Sequence, residues 1–443
     1  MSIPKITIQN VGEETITLNV NGEIQNIQNQ LTELKSLLQS LEVQNVQYAD
    51  KIYNIEHINE ANFGFVTGKR AFNESLTKEL IETIRPFCIP ANKFYARVQG
   101  ITDWQQQTRI SDKAKEIIAY SFVGVIGIQL SKLMAIGKEA FSDEKQRKYI
   151  HKSITIIKRT FDLVNFALLS KLWDIQKEQP LKITTQHKNT LAQFFDRNFE
   201  QSIEEQFALL ESLHHLYIEN QLDIPLPELQ FENSKATLAN ICKDIEQLNK
   251  VLDRGEYSLI DCFEAETKLA AFFQYFAFLV NYDMASIKRI GYKQMRHVDP
   301  RYLHRFAALG IDSKANVNAE KVIYTPDTVH TDAVLLYKGG NYQNNINLFP
   351  LVIDYNALTF ESGVAIYFYQ GKDIADGSLE YRFLETEEKI QIEKKGIIQD
   401  GMDYNQLMLK EENQIAINLD QVIAAFEEAR RTVLNDEIFL DDL

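Results

Sequence analysis

Cysteine is scarce in this chain: Cys88, Cys242 and Cys262 are the only three in 443 residues. They are too few for a disulfide framework and too scattered for a zinc knuckle, and they read as buried structural thiols. A phosphate loop is also missing. The nearest string, "GFVTGKR" (64–70), has one residue too few between its glycines and no Ser or Thr after Lys69, so it does not present backbone amides to a phosphate. No Gly-x-Ser-x-Gly elbow occurs and no cysteine sits in a nucleophile setting, which removes the common acyl-transfer chemistries. The N-terminal "MSIPKITIQN" lacks a basic start followed by an apolar run and a small-residue cleavage site, so cytoplasmic residence is the expectation.

Long apolar runs are lacking too. The longest, "IIAYSFVGVIGIQLSKLMAIG" (117–137), is interrupted by Lys132 and falls short of the roughly 20 residues a membrane span needs. It is expected to be a buried helix in which Gly124 and Gly127 admit a close neighbour, and no membrane association is expected. Positive charge is in deficit, with 47 Lys+Arg against 62 Asp+Glu and a net charge of −15. The deficit is local: residues 310–443 hold 11 basic against 24 acidic residues. That balance argues against a nucleic-acid surface in the last third and for solvation or a basic partner.

What the chain does have is pattern. At 45% hydrophobic and 25% charged it has the composition of a globular protein, and its length is a soft prior for about three domains. "KITIQN" and "TITLNV" alternate β-branched residues around the turn Gly12-Glu13-Glu14 and predict a β-hairpin. A lone hairpin is marginal in water and needs a partner sheet or its own copy. Residues 22–42 then place Ile24, Ile27, Leu31, Leu34, Leu38 and Leu41 at spacings of three and four, an apolar seam along one helix side. Two coverings are open for that seam: a protein partner or second copy, or the chain's own bundle.

Helical periodicity is expected over 73–86, closed by Pro90, then over 103–141, as one helix or a broken one, and over 143–175, 186–220, 234–253, 258–283 and 299–309. The two prolines of "DIPLPELQF" (223–231) divide the helices into two groups. Near residue 320 the pattern turns to strands, "KVIYT", "DAVLLYK", "INLFPLVID", "GVAIYFYQ", "LEYRFLE", "KIQIE" and "QIAIN", and a last helix is expected at about 418–434. The fold class is therefore α+β: an N-terminal β-hairpin and short coiled-coil helix, a large helical bundle, and a C-terminal mainly antiparallel β module with a terminal helix. The corresponding domains are 1–63, 64–222, 223–310 and an acidic module at 311–443, which ends in the acidic "NDEIFLDDL".

Few constellations carry chemistry. Glu211 and His214 have the helical spacing of carboxylate-bridged metal sites, but no second copy accompanies them, and His297 and His304 flank the helix-breaking Asp299-Pro300. No cofactor or metal is expected. Asp354 with Glu380, Tyr381 and Arg382 is a faint nuclease-like set in which Arg stands where a Lys would commonly help orient water. The one basic cluster is "KRIGYKQMRHVDPRYLHRF" (288–306), with Lys288, Arg289, Lys293, Arg296, Arg301 and Arg305 beside Tyr292 and Tyr302. Such a cluster suits a phosphate backbone or an acidic partner. The plainer reading, a solvated linker whose charges meet the acidic module after it, is favoured here, and nucleic-acid binding is not the first expectation.

"DKIYNIEHINEANF" (50–63), and "LFPLVID" and "IYFYQG" (348–354 and 366–371), resemble N-terminal coiled-coil and C-terminal β modules of multidomain bacterial conflict and anti-phage proteins. The resemblance implies a partner, sensor or assembly component. It transfers no catalytic residue, because the nucleotide-hydrolysing machinery of those proteins is absent. The functional expectation is a non-catalytic interaction or assembly protein acting through the 22–42 seam. The alternatives are a metal-dependent nuclease built on the β module and a substrate or regulator of a partner effector or protease, recognised through the acidic tail.

Overall fold

A computed structural model describes residues 5–11, 14–19, 71–229, 235–310, 320–325, 330, 333–342, 344–396 and 410–435. The chain divides into two units, Met1–Ala71 and Phe72–Leu443. In the first, β1 (Lys5–Val11) and β2 (Glu14–Asn19) form the expected antiparallel hairpin, with Ile6 opposite Leu18 and Ile8 opposite Ile16. The heptad seam at 22–42 lies outside the described residues.

In the second unit α1 (Glu74–Ile84), α2 (Ile89–Val98), α3 (Thr108–Ser121) and α4 (Gly124–Ile136) lead into α5 (Asp143–Glu178). Pro90 opens α2 rather than only closing α1, since a missing N–H costs nothing in a helix's first turn. The expected helix over 103–141 breaks at Phe122-Val123, where Gly127 lets α4 turn tightly against the last turn of α3: a Cβ there would lie 2.2 Å from the Ala119 carbonyl oxygen. The 36-residue α5 starts at Ser142, whose Oγ accepts from Lys145 N at 3.1 Å, and stops before Pro180. At 1.5 Å per residue it runs about 54 Å. Buried side chains cover its whole circumference from Ser153 to Ser170 except at Lys158, because α4, α7, α8, α9 and α11 all pack on it.

The stretch 186–220 is two helices, α6 (Thr185–Phe195) and α7 (Ile203–Glu219), and α7 is opened by a reciprocal Ser202–Glu205 cap. The proline segment lies between α7 and α8 (Lys235–Arg254), which nevertheless pack on each other and on α5, and α9 (Leu259–Phe276) follows. Strands begin much earlier than the sequence reading placed them. β3 (Tyr282–Lys293) and β4 (Arg301–Ala308) occupy the end of one expected helix and the whole of another. They join β5 (Glu320–Thr325), β6 (Val334–Lys338) and β7 (Asn345–Asn347) in an antiparallel sheet of order β5-β4-β3-β6-β7.

A second antiparallel sheet, β11-β10-β9-β8, is built from β8 (Val352–Asp354), β9 (Ile366–Lys372), β10 (Leu379–Phe383) and β11 (Lys389–Ile392), with the short α10 (Tyr355–Leu358) after β8. The final α11 (Glu411–Leu434) absorbs "QIAIN", expected as a strand, because Ala416, Leu419, Val422, Ile423 and Phe426 continue one helical stripe through it. One hydrophobic core runs from Leu76 to Leu434, and it crosses the positions 222/223 and 310/311 where domain boundaries were expected. No helix among the described residues is long and apolar enough to cross a membrane.

Candidate functional site: a basic β-ribbon

The basic cluster 288–306 is the β3–β4 hairpin of the five-stranded sheet, not a linker, and β5 pairs with β4 along Tyr302–Ala307. The hairpin's register is interrupted once: Ile287 faces Phe306 and Arg289 faces Arg305, so Lys288 is an extra residue, a β-bulge. The bulge directs Lys288 to Asp354 at the end of β8. Asp354 is fully buried: its Oδ2 accepts from Lys288 Nζ and, at 2.5 Å, from Ser286 Oγ, and its Oδ1 accepts from Ala365 N at 2.9 Å. This knot ties the root of the ribbon to the second sheet.

Beyond the root, residues 289 to 299 are exposed apart from the half-buried Ile290. Residues directly opposite in an antiparallel pair share a face. Arg289 opposite Arg305 and Lys293 opposite Arg301 thus place four cations on one face. On the other face Tyr292 and Tyr302 meet with ring centroids 5.7 Å apart, next to the Ile290–His304 pair. Cations and aromatics that interleave in sequence therefore separate in space, as period-2 alternation requires. Burial at the ribbon's root holds the His304 imidazole below its usual range. Arg296 and His297 lie in the exposed tip, where His297 adopts φ +63°. Among the described residues none of Arg289, Lys293, Arg296, Arg301 and Arg305 reaches a carboxylate, and only Lys288 meets the acidic module as the linker reading required.

Several of the unit's other charged groups are buried and engaged internally. Arg159, 1% exposed on α5, donates to Asp162 at 2.7 Å and to Glu387 at 2.6 Å. Gln206 Nε2 reaches Asp162 Oδ1 at 2.7 Å, Arg382 meets Glu200 at 3.0 Å, and Lys152 donates to Gln129 at 2.8 Å. Burial pushes the Lys152 ammonium down to about 8, with Lys132 and Arg159 adding repulsion against the pull of Glu387. Burial likewise raises the Asp162 carboxyl although Arg159 opposes it. Arg197 donates to the carbonyls of Gln370 at 2.7 Å and Tyr369 at 3.0 Å.

The remaining candidates also sit in structural roles. Glu211 pairs with Lys235, and His214 is buried on α7. Glu380 pairs with Lys389 at 2.8 Å, so the nuclease-like set is divided: Asp354 anchors the ribbon, and Glu380 and Arg382 form separate ion pairs. No group of three metal-ligating side chains occurs among the described residues. All three cysteines are buried and free, and burial lifts the Cys242 thiol to about 12. The seam residues Ile24, Ile27, Leu31, Leu34, Leu38 and Leu41, and the tail from residue 436 onward, lie outside the described residues. Of the structural partners, only the Arg159–Asp162 spacing of three was visible in sequence; Lys288–Asp354 spans 66 residues and Arg159–Glu387 spans 228. Set against known proteins, the chain matches no family model, no curated protein and no solved structure.

Proposed function

We propose that this chain is a non-catalytic binding protein that holds an anionic partner on the β3–β4 ribbon. One observation carries the reading: two like-charged pairs, Arg289/Arg305 and Lys293/Arg301, sit directly opposite one another on an exposed face. Side chains at such positions start only ~5 Å apart, and like charges there destabilise the sheet. An arriving anion relieves that repulsion. The structural use of Asp354 supports binding over metal-assisted hydrolysis, since Lys288 and Ser286 already occupy the carboxylate oxygen that a cation would take. The test is retention of the full chain on an immobilised polyanion, dextran sulfate, at low salt. The wild type should be retained, and replacement of Arg289, Lys293, Arg301 and Arg305 by Gln should release it; a wild type that flows through refutes the reading.

Association through the 22–42 seam remains part of the proposal as the means of assembly. It rests on the spacing of Ile24, Ile27, Leu31, Leu34, Leu38 and Leu41. Leu31→Glu with Leu34→Glu should lower the mass seen in light scattering with helical circular dichroism retained. An unchanged mass, or loss of folding, counts against it.

A further inference from the structure

We infer that the anion gripped by the ribbon is the phosphate backbone of duplex nucleic acid, an inference that rests on the ribbon being a polyanion contact. Charge density decides among the partners. Arg301 and Arg305 are four residues apart on β4, about 14 Å at the strand rise, and Lys293 and Arg289 face them across the ribbon. The face therefore holds four cations in a rectangle of roughly 5 by 14 Å. An extended acidic peptide presents side chains on one face only every ~7 Å, so about three carboxylates fit over that length. Duplex DNA carries one charge per ~1.7 Å of axis, about eight over the same length, enough to meet every cation without a special sequence.

Three of the four cations are arginines, whose planar forks bind phosphate oxygens in pairs. Single-stranded nucleic acid fits less well. Its binding sites stack successive bases on several aromatic platforms beside the cations, whereas Tyr292 and Tyr302 lie on the face opposite the cations and the register sets a single aromatic of β5, Tyr324 opposite Leu303, on theirs. The exposed tip adds Arg296, and also Met295 at 59% and Val298 at 48% exposure, apolar groups that do not hinder approach to a groove wall. The acidic balance of residues 310–443, 11 basic against 24 acidic, repels phosphate from that part of the chain. The salt dependence should accordingly be that of about four neutralised phosphates, a slope of log K against log salt near −3.6.

The experiment measures fluorescence anisotropy of a labelled mixed-sequence 30-base-pair DNA duplex titrated with the full chain between 50 and 200 mM KCl. Affinity should fall about 150-fold over that range. Arg289→Gln with Arg305→Gln should weaken binding equally on unrelated sequences and flatten the slope by about two, with circular dichroism unchanged. Lys93→Gln, an exposed change on α2, should alter neither. Tighter binding of a single-stranded 30-mer, or an unchanged slope in the double variant, overturns the inference. Binding of a labelled poly-glutamate peptide without binding of the duplex overturns it too but leaves the polyanion reading standing. Failure of all three probes removes both.

Discussion

Replacing Arg159 by Met strips the guanidinium from a site that has almost no access to water and leaves two carboxylates behind. Asp162, 2% exposed, keeps only the Gln206 amide at 2.7 Å, and Glu387 keeps Arg382 at 3.9 Å and Gln129 at 3.5 Å. Removing one member of a buried ion pair costs about 3–5 kcal/mol, most of it the penalty of the stranded charge. Replacing the whole set with apolar groups is often neutral, so Arg159→Met with Asp162→Leu and Glu387→Met should recover much of the loss. Hydrogen exchange of the α5 amides between Ser153 and Asn165 reads this free energy directly; protection should drop roughly 150- to 5000-fold in the single variant.

The pH dependence fixes the cause of that loss. Burial already raises the Asp162 carboxyl while Arg159 pulls it down, and removing Arg159 lets it rise further. A carboxyl raised in the folded state contributes most at low pH and loses that contribution as pH climbs through its folded value. The deficit of Arg159→Met should therefore shrink as pH is lowered and Asp162 takes up a proton. A deficit that is flat with pH, together with a triple variant as unstable as the sum of the single losses, would refute the stranded-carboxylate account.

Three further outcomes are expected. Lys152→Met should stabilise the fold at pH 7 by on the order of 1–3 kcal/mol, because burial holds the ammonium near 8 against its ordinary 10.5. The unfolded chain binds the extra proton between those values, so the wild type gains stability as pH rises from about 8 to 10.5. Melting curves should thus show the gap between variant and wild type closing across that window. Gly124→Ala would place a Cβ 1.8 Å from the Leu309 carbonyl oxygen, a backbone atom, at a cost of about 2–3 kcal/mol. Gly310→Ala meets nothing within 4 Å and should melt within about a degree of the wild type, so equal melting points for the two would refute the packing argument. Arg305→Thr removes one like-charged neighbour on the ribbon and should raise stability by a few tenths of a kcal/mol while flattening the salt slope of binding by about one. A melting point that falls would show that Arg305 stabilises the free protein.

Much of the helical part was legible because its boundaries are local. Ser142 and Ser202 cap α5 and α7 within four residues of the bonds they accept, Pro180 stops α5, and the paired prolines of "DIPLPELQF" interrupt the chain wherever it packs. The ribbon was illegible for a reason equally local. The bulge at Lys288 shifts the period-2 alternation by one residue, and six cations in 288–306 hide what remains of it beneath a pattern that passes for a polar helix or linker. "QIAIN" failed in the opposite direction, because a five-residue β-branched run cannot be told from one face of a helix until the next two turns are counted. The site partners were out of reach altogether: no sequence rule pairs Lys288 with a carboxylate 66 residues on, or Arg159 with one 228 residues on.

The contrast between the two populations of charge is the physical basis for assigning a task to the ribbon. Arg159, Arg197 and Asp354 are buried, and each is met by two or more partners at 2.5 to 3.0 Å, as burial of a charge demands. Arg289, Lys293, Arg301 and Arg305 are exposed, stand opposite their own kind, and are set on strands whose register allows no relief by sliding, because a one-residue slip would turn Ile287 and Phe306 out of their cluster. The fold thus holds the repulsion in place. The Lys288–Asp354 knot fastens the root of the ribbon to a sheet that packs on the central helix, so the four cations are presented on a fixed support and an incoming polyanion meets them without first having to order the strands.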